Sequence, residues 1–274
     1  MDNWENILLS FKEHYREYYL NNKEVLIDNQ TKDWSKNFTI VQQTFQKYLS
    51  VFSAINLPLA SNQCITTIGD FGTNGHAFFY NSSAYPFYCV EHYATTMYAD
   101  VFVLHELLHA YHYTIQPEYY FHNQTEQSLL SRNLLCEGVA TFCSSIITTL
   151  PTQQILWADV YTNAQYNNWL QQCHVSKKDM CRFCLDNFHH ALTNELFYYA
   201  DGSPLYNRGG YWLGMNIVQD LYQVVVQPSR CCSIPQKVMQ NTTHFNGYKR
   251  KLNETYPCVK QSFPHPVHCQ PCTK

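Results

Sequence analysis

One segment of the chain has residue types and spacing that could bind a metal ion and use it: His105-Glu106-Leu107-Leu108-His109. On a helix, His105 and His109 lie one turn apart on the same face, about 6 Å between their Cβ atoms, so both imidazoles can reach one ion. Zinc prefers such nitrogen ligands, and a catalytic zinc keeps one coordination position for water. Glu106 lies at the edge of that face, where its carboxylate could take a proton from the water.

Chance is a poor explanation for this segment. With 13 His and 11 Glu among 274 residues, H-E-x-x-H is expected about 0.03 times. Residues 101–111 contain no other charge and no Gly or Pro, and Pro117 follows them. This pattern predicts a largely buried helix from about Thr96 to Ile115. His112 stands about 10 Å along the axis from His105, too far to share one ion with both histidines.

A third ligand is expected elsewhere, because a catalytic zinc ordinarily has three protein ligands. Glu118, Glu126 and Glu137 are the candidates. Glu118 is almost adjacent to the helix end and would have to fold back, whereas Glu126 stands in a polar first turn, where acids are common. Glu137 lies within an apolar helical stretch, where an unpaired carboxylate would be costly. A metal ion is its natural partner, so Glu137 ranks first and the other two stay open.

His105-Glu106-x-x-His109 followed by Glu137-Gly138-Val139-Ala140 resembles the gluzincin metallopeptidases, in which the third ligand belongs to an E-G-x-A helix. The resemblance implies a zinc peptidase. It assigns His105, His109 and Glu137 as zinc ligands and Glu106 as the general base.

The resemblance extends loosely to the segment from Tyr206 to Gly214, Tyr-Asn-Arg-Gly-Gly-Tyr-Trp-Leu-Gly. It is similar to the Y-x-K-G-x-x-x-L segment of gluzincin aminopeptidases and to the G-Y-x-x-G segment of predicted zinc-dependent peptidases. The first alignment gives Tyr206 the role of hydrogen-bond donor to the oxyanion, and the second gives it to Tyr211. The amine-binding G-A-M-E-N segment of the aminopeptidases is absent upstream, where residues 72–76 read Gly-Thr-Asn-Gly-His. This departure favours an endopeptidase.

The twelve cysteines allow two interpretations. Cys181 and Cys184 form one C-x-x-C pair, and Cys269 and Cys272 form another close to Cys258. In a reducing compartment such pairs predict structural zinc sites. The even number of cysteines suits a secreted disulfide protein instead. Six N-x-S/T sequons point the same way, although an Asn-rich chain contains several by chance; they begin at Asn29, Asn37, Asn81, Asn123, Asn241 and Asn253.

Composition excludes several classes of partner. Charged residues are only 14% of the chain, and the 16% of aromatic residues argues against disorder. The net charge of −3 goes with no basic stripe, so we expect no nucleic-acid partner. No apolar run reaches the roughly 20 residues that span a membrane. The first residues lack a signal-peptide pattern, so we expect a cytosolic protein or one exported by a signal-independent route, as a secreted effector would be. Oligomeric state is not predicted.

The fold class predicted is α+β, predominantly helical, with a small sheet from three β-prone runs (residues 65–68, 76–80 and 87–90) before the active helix. With the gluzincin resemblance, this implies a zincin-like metallopeptidase. Four segments are expected: an N-terminal helical part (1–60), a core with the sheet and both ligand helices (61–150), a C-terminal helical part (151–257) and a Cys/His/Pro-rich tail (258–274). Helices are predicted over 3–20, 34–51, 126–150, 152–172, 177–200, 208–226 and 235–254.

These observations predict a zinc-dependent peptidase, an endopeptidase acting on a peptide or protein substrate. One alternative is a zinc-binding gluzincin-like protein that works as a protein-interaction module without turnover. Another is that the Cys-rich tail is the active part, supported by the helices. The intact Glu106 favours the first interpretation, because loss of activity in such proteins usually changes the H-E-x-x-H motif.

Overall fold

The computed structural model describes residues 3–57, 59, 61–120, 129–190, 194–197 and 207–225. The predicted helix over 235–254 and the predicted tail lie outside these ranges. Within them the chain is predominantly helical with a three-stranded sheet, which confirms the α+β class. The described helices are α1 (Trp4–His14), α2 (Arg16–Asn21), α3 (Lys23–Gln30), α4 (Ser35–Ala54), α5 (Thr96–Ile115), α6 (Leu130–Ile147), α7 (Thr152–Trp157), α8 (Asn163–Asp186), α9 (Asn194–Phe197) and α10 (Gly209–Val225).

Helix α5 carries the H-E-x-x-H segment and has the predicted bounds. It begins where the Thr95 hydroxyl accepts a hydrogen bond from the Tyr98 amide, a standard N-cap. It ends at Ile115, before Pro117. Every residue from Val101 to Tyr113 is buried. A helix that is buried on all faces lies at the centre of its domain.

The sheet consists of β1 (Ile65–Thr67), β2 (Gly75–Tyr80) and β3 (Ser83–Cys89), in the order β1-β3-β2. The pairing of β1 with β3 is parallel and that of β2 with β3 is antiparallel. Asn81 and Ser82, with φ values of 46° and 64°, form the two-residue turn between β2 and β3. Because β2 is last in the strand order, it is an edge strand among the described residues. All three strands predicted from the sequence are present.

The sheet is covered on both sides. Ile7 and Phe11 of α1 pack against Phe78 and Phe87. The opposite face contributes to a larger core around α5, whose members range in the sequence from Ile40 to Val218. Among the described helices, none has both the length and the apolar character that crossing a membrane requires.

Three of the predicted helices do not match the structure. The stretch 3–20 is broken at Tyr15 into α1 and α2. The separate helices predicted over 152–172 and 177–200 are replaced by the short α7 and the 24-residue α8. Ala158, with a left-handed φ of 49°, ends α7, and a capping box between Thr162 and Gln165 starts α8. Nothing between 172 and 177 breaks a helix, so α8 continues through it.

Helices α6 and α10 touch through glycines. A Cβ on Gly138 would lie 2.6 Å from the carbonyl carbon and oxygen of Gly214, and one on Gly214 would lie 2.6 Å from the Leu134 carbonyl oxygen. Only a pair of glycines permits two helix backbones to come so close. This contact fixes α10 next to the residue that follows Glu137.

Gly138→Ala should lower the free energy of unfolding by about 1–3 kcal/mol, because the new methyl group must push the α10 backbone away. Urea denaturation measures the change. Gly72→Ala is the control for a clash with a side chain: its Cβ would meet only the Asp70 carboxylate, at 2.8 Å, so its loss is limited to the hydrogen bonds that this carboxylate accepts from the Tyr18 hydroxyl and the Gly72 amide. Equal losses in the two variants would contradict the backbone contact.

Candidate metal centre

Three donor atoms converge between α5 and α6. The Nε2 atoms of His105 and His109 are 3.0 Å apart, and Oε2 of Glu137 lies 2.9 Å from the first and 3.4 Å from the second. The three residues form a group that could hold a metal ion. The structure thus brings together the three ligands that the sequence predicts.

The donor set suits a small divalent cation. Ligands about 2.0–2.1 Å from a tetrahedral zinc ion stand about 3.3 Å from one another, close to the separations of 2.9–3.4 Å seen here. Both imidazole Nε2 atoms lie close to the same carboxylate oxygen and to each other, so each of the three atoms can direct a lone pair to one shared point. A shared cation satisfies all three.

The charge state of Glu137 also suits a ligand. Burial by itself raises the pKa of this carboxyl, but the charge of His109 and hydrogen bonds from His105 and His109 outweigh burial and hold the pKa well below its usual range. The group is therefore ionised at neutral pH. Metal ligands bind in their deprotonated forms, so no proton has to leave Glu137 first.

The other candidate ligands do not join this group. Glu118 is exposed at the short 3-10 turn that follows α5, and Glu126 lies outside the described residues. His112 is buried with its Nε2 hydrogen-bonded to Gln116 and its ring stacked on Tyr119. Its Nε2 thus has a partner other than the three donor atoms.

Glu106 is buried beside the metal-binding group, with 6% of its surface exposed. Its Oε2 has no hydrogen-bond partner among the described residues. Burial raises the pKa of Glu106 to about 7, while the charge of His109 opposes that rise and Glu137 adds to it. A carboxyl with a free oxygen and a pKa near neutrality suits proton transfer at neutral pH.

Gly75 allows β2 to approach Glu106. A Cβ at this position would lie 2.6 Å from the Phe87 carbonyl oxygen and 3.2 Å from Cγ of Glu106. The next residue, His76, has its ring centroid 6.5 Å from that of His109. Desolvation, reinforced by the charge of His109, lowers the pKa of His76 to about 4, so its imidazole is neutral at pH 7.

Sequence reasoning gave His76 no role in the site. The available signal was its position in the Gly72–His76 stretch, which stands where the aminopeptidases have their substrate-binding segment.

Of the two tyrosines proposed to contact the oxyanion, Tyr206 lies outside the described residues. Tyr211 lies in the first turn of α10, and its ring centroid is 6.0 Å from that of His105. Burial raises the pKa of Tyr211, so its hydroxyl stays protonated and can donate a hydrogen bond.

Cys181 and Cys184 are buried free thiols on α8. Burial raises the pKa of both, to about 12 for Cys181. In the described part of the chain, they belong to no metal-binding group and no cysteine forms a disulfide. Cys258, Cys269 and Cys272 lie outside the described residues, so a zinc site or disulfide there stays a prediction.

Two of the six sequons are not accessible in the folded protein. The Nδ2 atom of Asn29 donates to the Gly69 carbonyl at 2.7 Å, and that of Asn37 donates to the Val90 carbonyl at 2.9 Å. Both asparagines are buried. Glycosylation of either would break a hydrogen bond that ties the N-terminal helices to the region of the sheet.

Comparisons of the chain with protein-family models, curated proteins and solved structures found no match. The case for a function therefore rests on the geometry of this site and on its motif residues.

The pKa of Glu106 leads to a pH-dependent stability prediction for the metal-free protein. An acid whose pKa rises from 4.5 to about 7 on folding holds its proton in the native state, so its contribution to stability falls as pH rises through that window. The full effect is roughly 3 kcal/mol. Glu106→Gln should therefore gain stability relative to wild type between pH 5 and pH 8, measured by urea denaturation in EDTA.

Glu13→Gln is the control, because Glu13 is exposed. Its stability difference from wild type should be nearly the same at both pH values. If Glu106→Gln behaves in the same way, Glu106 is not desolvated as described.

Proposed function

We propose that this protein is a zinc-dependent peptidase with a zincin-like fold of the gluzincin type. The observation that carries the proposal is the convergence of His105, His109 and Glu137 beside a buried Glu106. The sequence order supports it as well: two histidines and a general base on one helix, followed by an acid on the next long helix of the described residues.

In this proposal His105, His109 and Glu137 hold the ion. When bound, zinc polarises the carbonyl of the peptide bond and lowers the pKa of a water molecule. Glu106 accepts a proton from the attacking water and later delivers it to the leaving amine. In the metal-free protein its pKa of about 7 leaves the group able to act as base or acid near neutral pH.

Strand β2 is the proposed docking site for substrate. It pairs with β3 and is the last strand in the order β1-β3-β2. An extended peptide can add to such an edge through main-chain hydrogen bonds. Here it would replace the contact that the Gly75 carbonyl makes with the Thr73 hydroxyl, at 3.1 Å. It would also replace the contact that the Phe79 backbone makes with the Tyr120 side chain. Gly75 lies against Glu106 and His76 lies near His109, so a peptide on this edge would pass the metal-binding group.

Two described side chains could donate a hydrogen bond to the developing oxyanion. Tyr211 is protonated because burial raises its pKa. His76 is neutral at pH 7 and carries one ring N–H. Tyr206 is a third candidate from the sequence. Donors aimed at the charge that develops in the transition state contribute strongly to acyl-transfer catalysis.

Burial of Glu106 favours turnover over a metal-binding interaction module. A buried carboxyl with an unpartnered oxygen lowers stability, because its lost hydration is not replaced by a hydrogen bond. A module that only binds partners has no use for such a carboxyl. A peptidase uses it, because the same carboxyl moves the proton. Absence of the aminopeptidase amine-binding segment continues to favour endopeptidase activity.

Glu106→Gln should keep its zinc and lose about 10²- to 10⁴-fold in cleavage rate, because the amide cannot take the proton from water. The measurement is mass-spectrometric identification of new peptide termini in a denatured protein mixture, with zinc content determined in parallel. It also separates endo- from exo-cleavage.

The matched control is Glu118→Gln, which makes the same chemical change at an exposed glutamate on the turn after α5. It should cleave like wild type. Full activity in Glu106→Gln would exclude the proposed mechanism.

A further inference from the structure

Arg208, directly before α10, holds its guanidinium against three aromatic rings. Its Cζ atom is 4.4 Å from the ring centroid of Tyr211, 5.3 Å from that of Trp157 and 5.5 Å from that of Phe102. Contact with ring faces leaves the N–H donors of a guanidinium in its own plane, where they can still bind an anion.

The backbone at Arg208 is held rigidly. Its φ of 58° is in the left-handed region that a residue with a side chain rarely adopts. The preceding Asn207 is buried, accepts a hydrogen bond from the Trp169 indole at 2.9 Å and donates one to the Tyr161 hydroxyl at 2.8 Å. Strained backbone that the surrounding structure keeps in place is common at ligand-binding positions.

No anion within the described part of the chain neutralises this guanidinium. None of the acids whose side chains the structure describes forms an ion pair with Arg208. Its Nε–H is buried and has no acceptor among the described residues. A buried donor without an acceptor is unfavourable. The described residues therefore leave this fixed cation with an unsatisfied donor, and a ligand could supply the missing acceptor.

Arg208 lies close to the metal-binding group. The Tyr211 ring is in contact with the guanidinium on one side, and its centroid is 6.0 Å from that of His105. Added together, these two distances place the guanidinium within about 10 Å of the His105 ring. About three residues of extended chain span that length. Phe102, which also touches Arg208, is one turn before His105 on α5.

We propose that Arg208 binds a carboxylate of the substrate within about three residues of the cleaved bond, so that peptides carrying a carboxylate there are preferred. The inference rests on the proposed peptidase function. One guanidinium matches one carboxylate through two parallel N–H···O bonds. The carboxylate can be the C-terminus of the peptide or an Asp or Glu side chain, and both present the same chemistry.

The test uses three mixtures of N-acetylated hexapeptides whose randomised positions omit Asp and Glu. One mixture has a free C-terminal carboxylate, one has a C-terminal carboxamide, and one has the carboxamide with a single internal Glu. Cleavage is followed by mass spectrometry with wild type, Arg208→Gln, Arg208→Lys and the surface control Arg16→Gln. Binding of the same mixtures to the Glu106→Gln protein, with and without Arg208→Gln, is measured by calorimetry.

Wild type and Arg16→Gln should prefer at least one carboxylate-bearing mixture over the plain carboxamide by about tenfold or more, mainly through KM. Arg208→Gln should lose this preference, which is a ratio of rates and so does not depend on the overall activity of the variant. Arg208→Lys should keep part of it, because lysine keeps the charge but not the planar fork. Preference for the free carboxylate identifies the C-terminus as the source, and preference for the Glu mixture identifies a side chain.

The proposal is overturned if wild type treats the three mixtures alike, or if the preference survives in Arg208→Gln. If Arg208→Gln does not fold, Arg208→Lys decides: an undiminished preference there contradicts a bidentate contact. Failure of the peptidase proposal has a different signature. Wild type and Glu106→Gln then leave all three mixtures equally intact, and the binding measurements alone decide the role of Arg208.

Discussion

Two imidazole nitrogens and one carboxylate oxygen meet within 3.4 Å inside a helical core, and the rest of the described site depends on that contact. Burying a carboxylate costs several kcal/mol unless it is paired. Glu137 is paired with His105 and His109, and with a metal ion among the three donors the group is fully satisfied. The ligand helices α5 and α6 are therefore fixed relative to each other at this point.

Close backbone approaches place the remaining parts around this group. Gly138 and Gly214 bring α10 against α6. Tyr211 lies one turn before Gly214 on α10, and its ring is near that of His105. On the other side, Gly75 lets the edge strand β2 lie against Glu106. In both cases a position without a side chain allows a backbone to come near the three donor residues or Glu106. The candidate site thus depends on glycines that contribute no donor atom to it.

The parts of the structure that depend on local sequence were predictable. Helix α5 could be bounded from its apolar run and from Pro117, and the pairing of His105 with His109 follows from helical spacing alone. Glu137 was predictable for an energetic reason, because a lone acid in an apolar helix needs a partner. The three strands could be found from β-prone runs bounded by turn residues.

Features that depend on tertiary contact were not predictable from one sequence. His76 and Arg208 reach the site from a strand edge and from the residue before a distant helix, and no spacing along the chain encodes either approach. The long α8 was divided incorrectly, because the capping box that sets its start is a weaker pattern than Gly or Pro. The Gly138–Gly214 contact also lacks a local signature, since each glycine by itself predicts only a tolerated defect in a helix.

Anomalous diffraction at the zinc edge, from crystals grown with zinc, tests the central claim most directly. The account predicts an anomalous peak about 2.0–2.2 Å from Nε2 of His105, Nε2 of His109 and a carboxylate oxygen of Glu137. No peak at these three donors, with zinc bound only at cysteines such as Cys181 and Cys184, would contradict it.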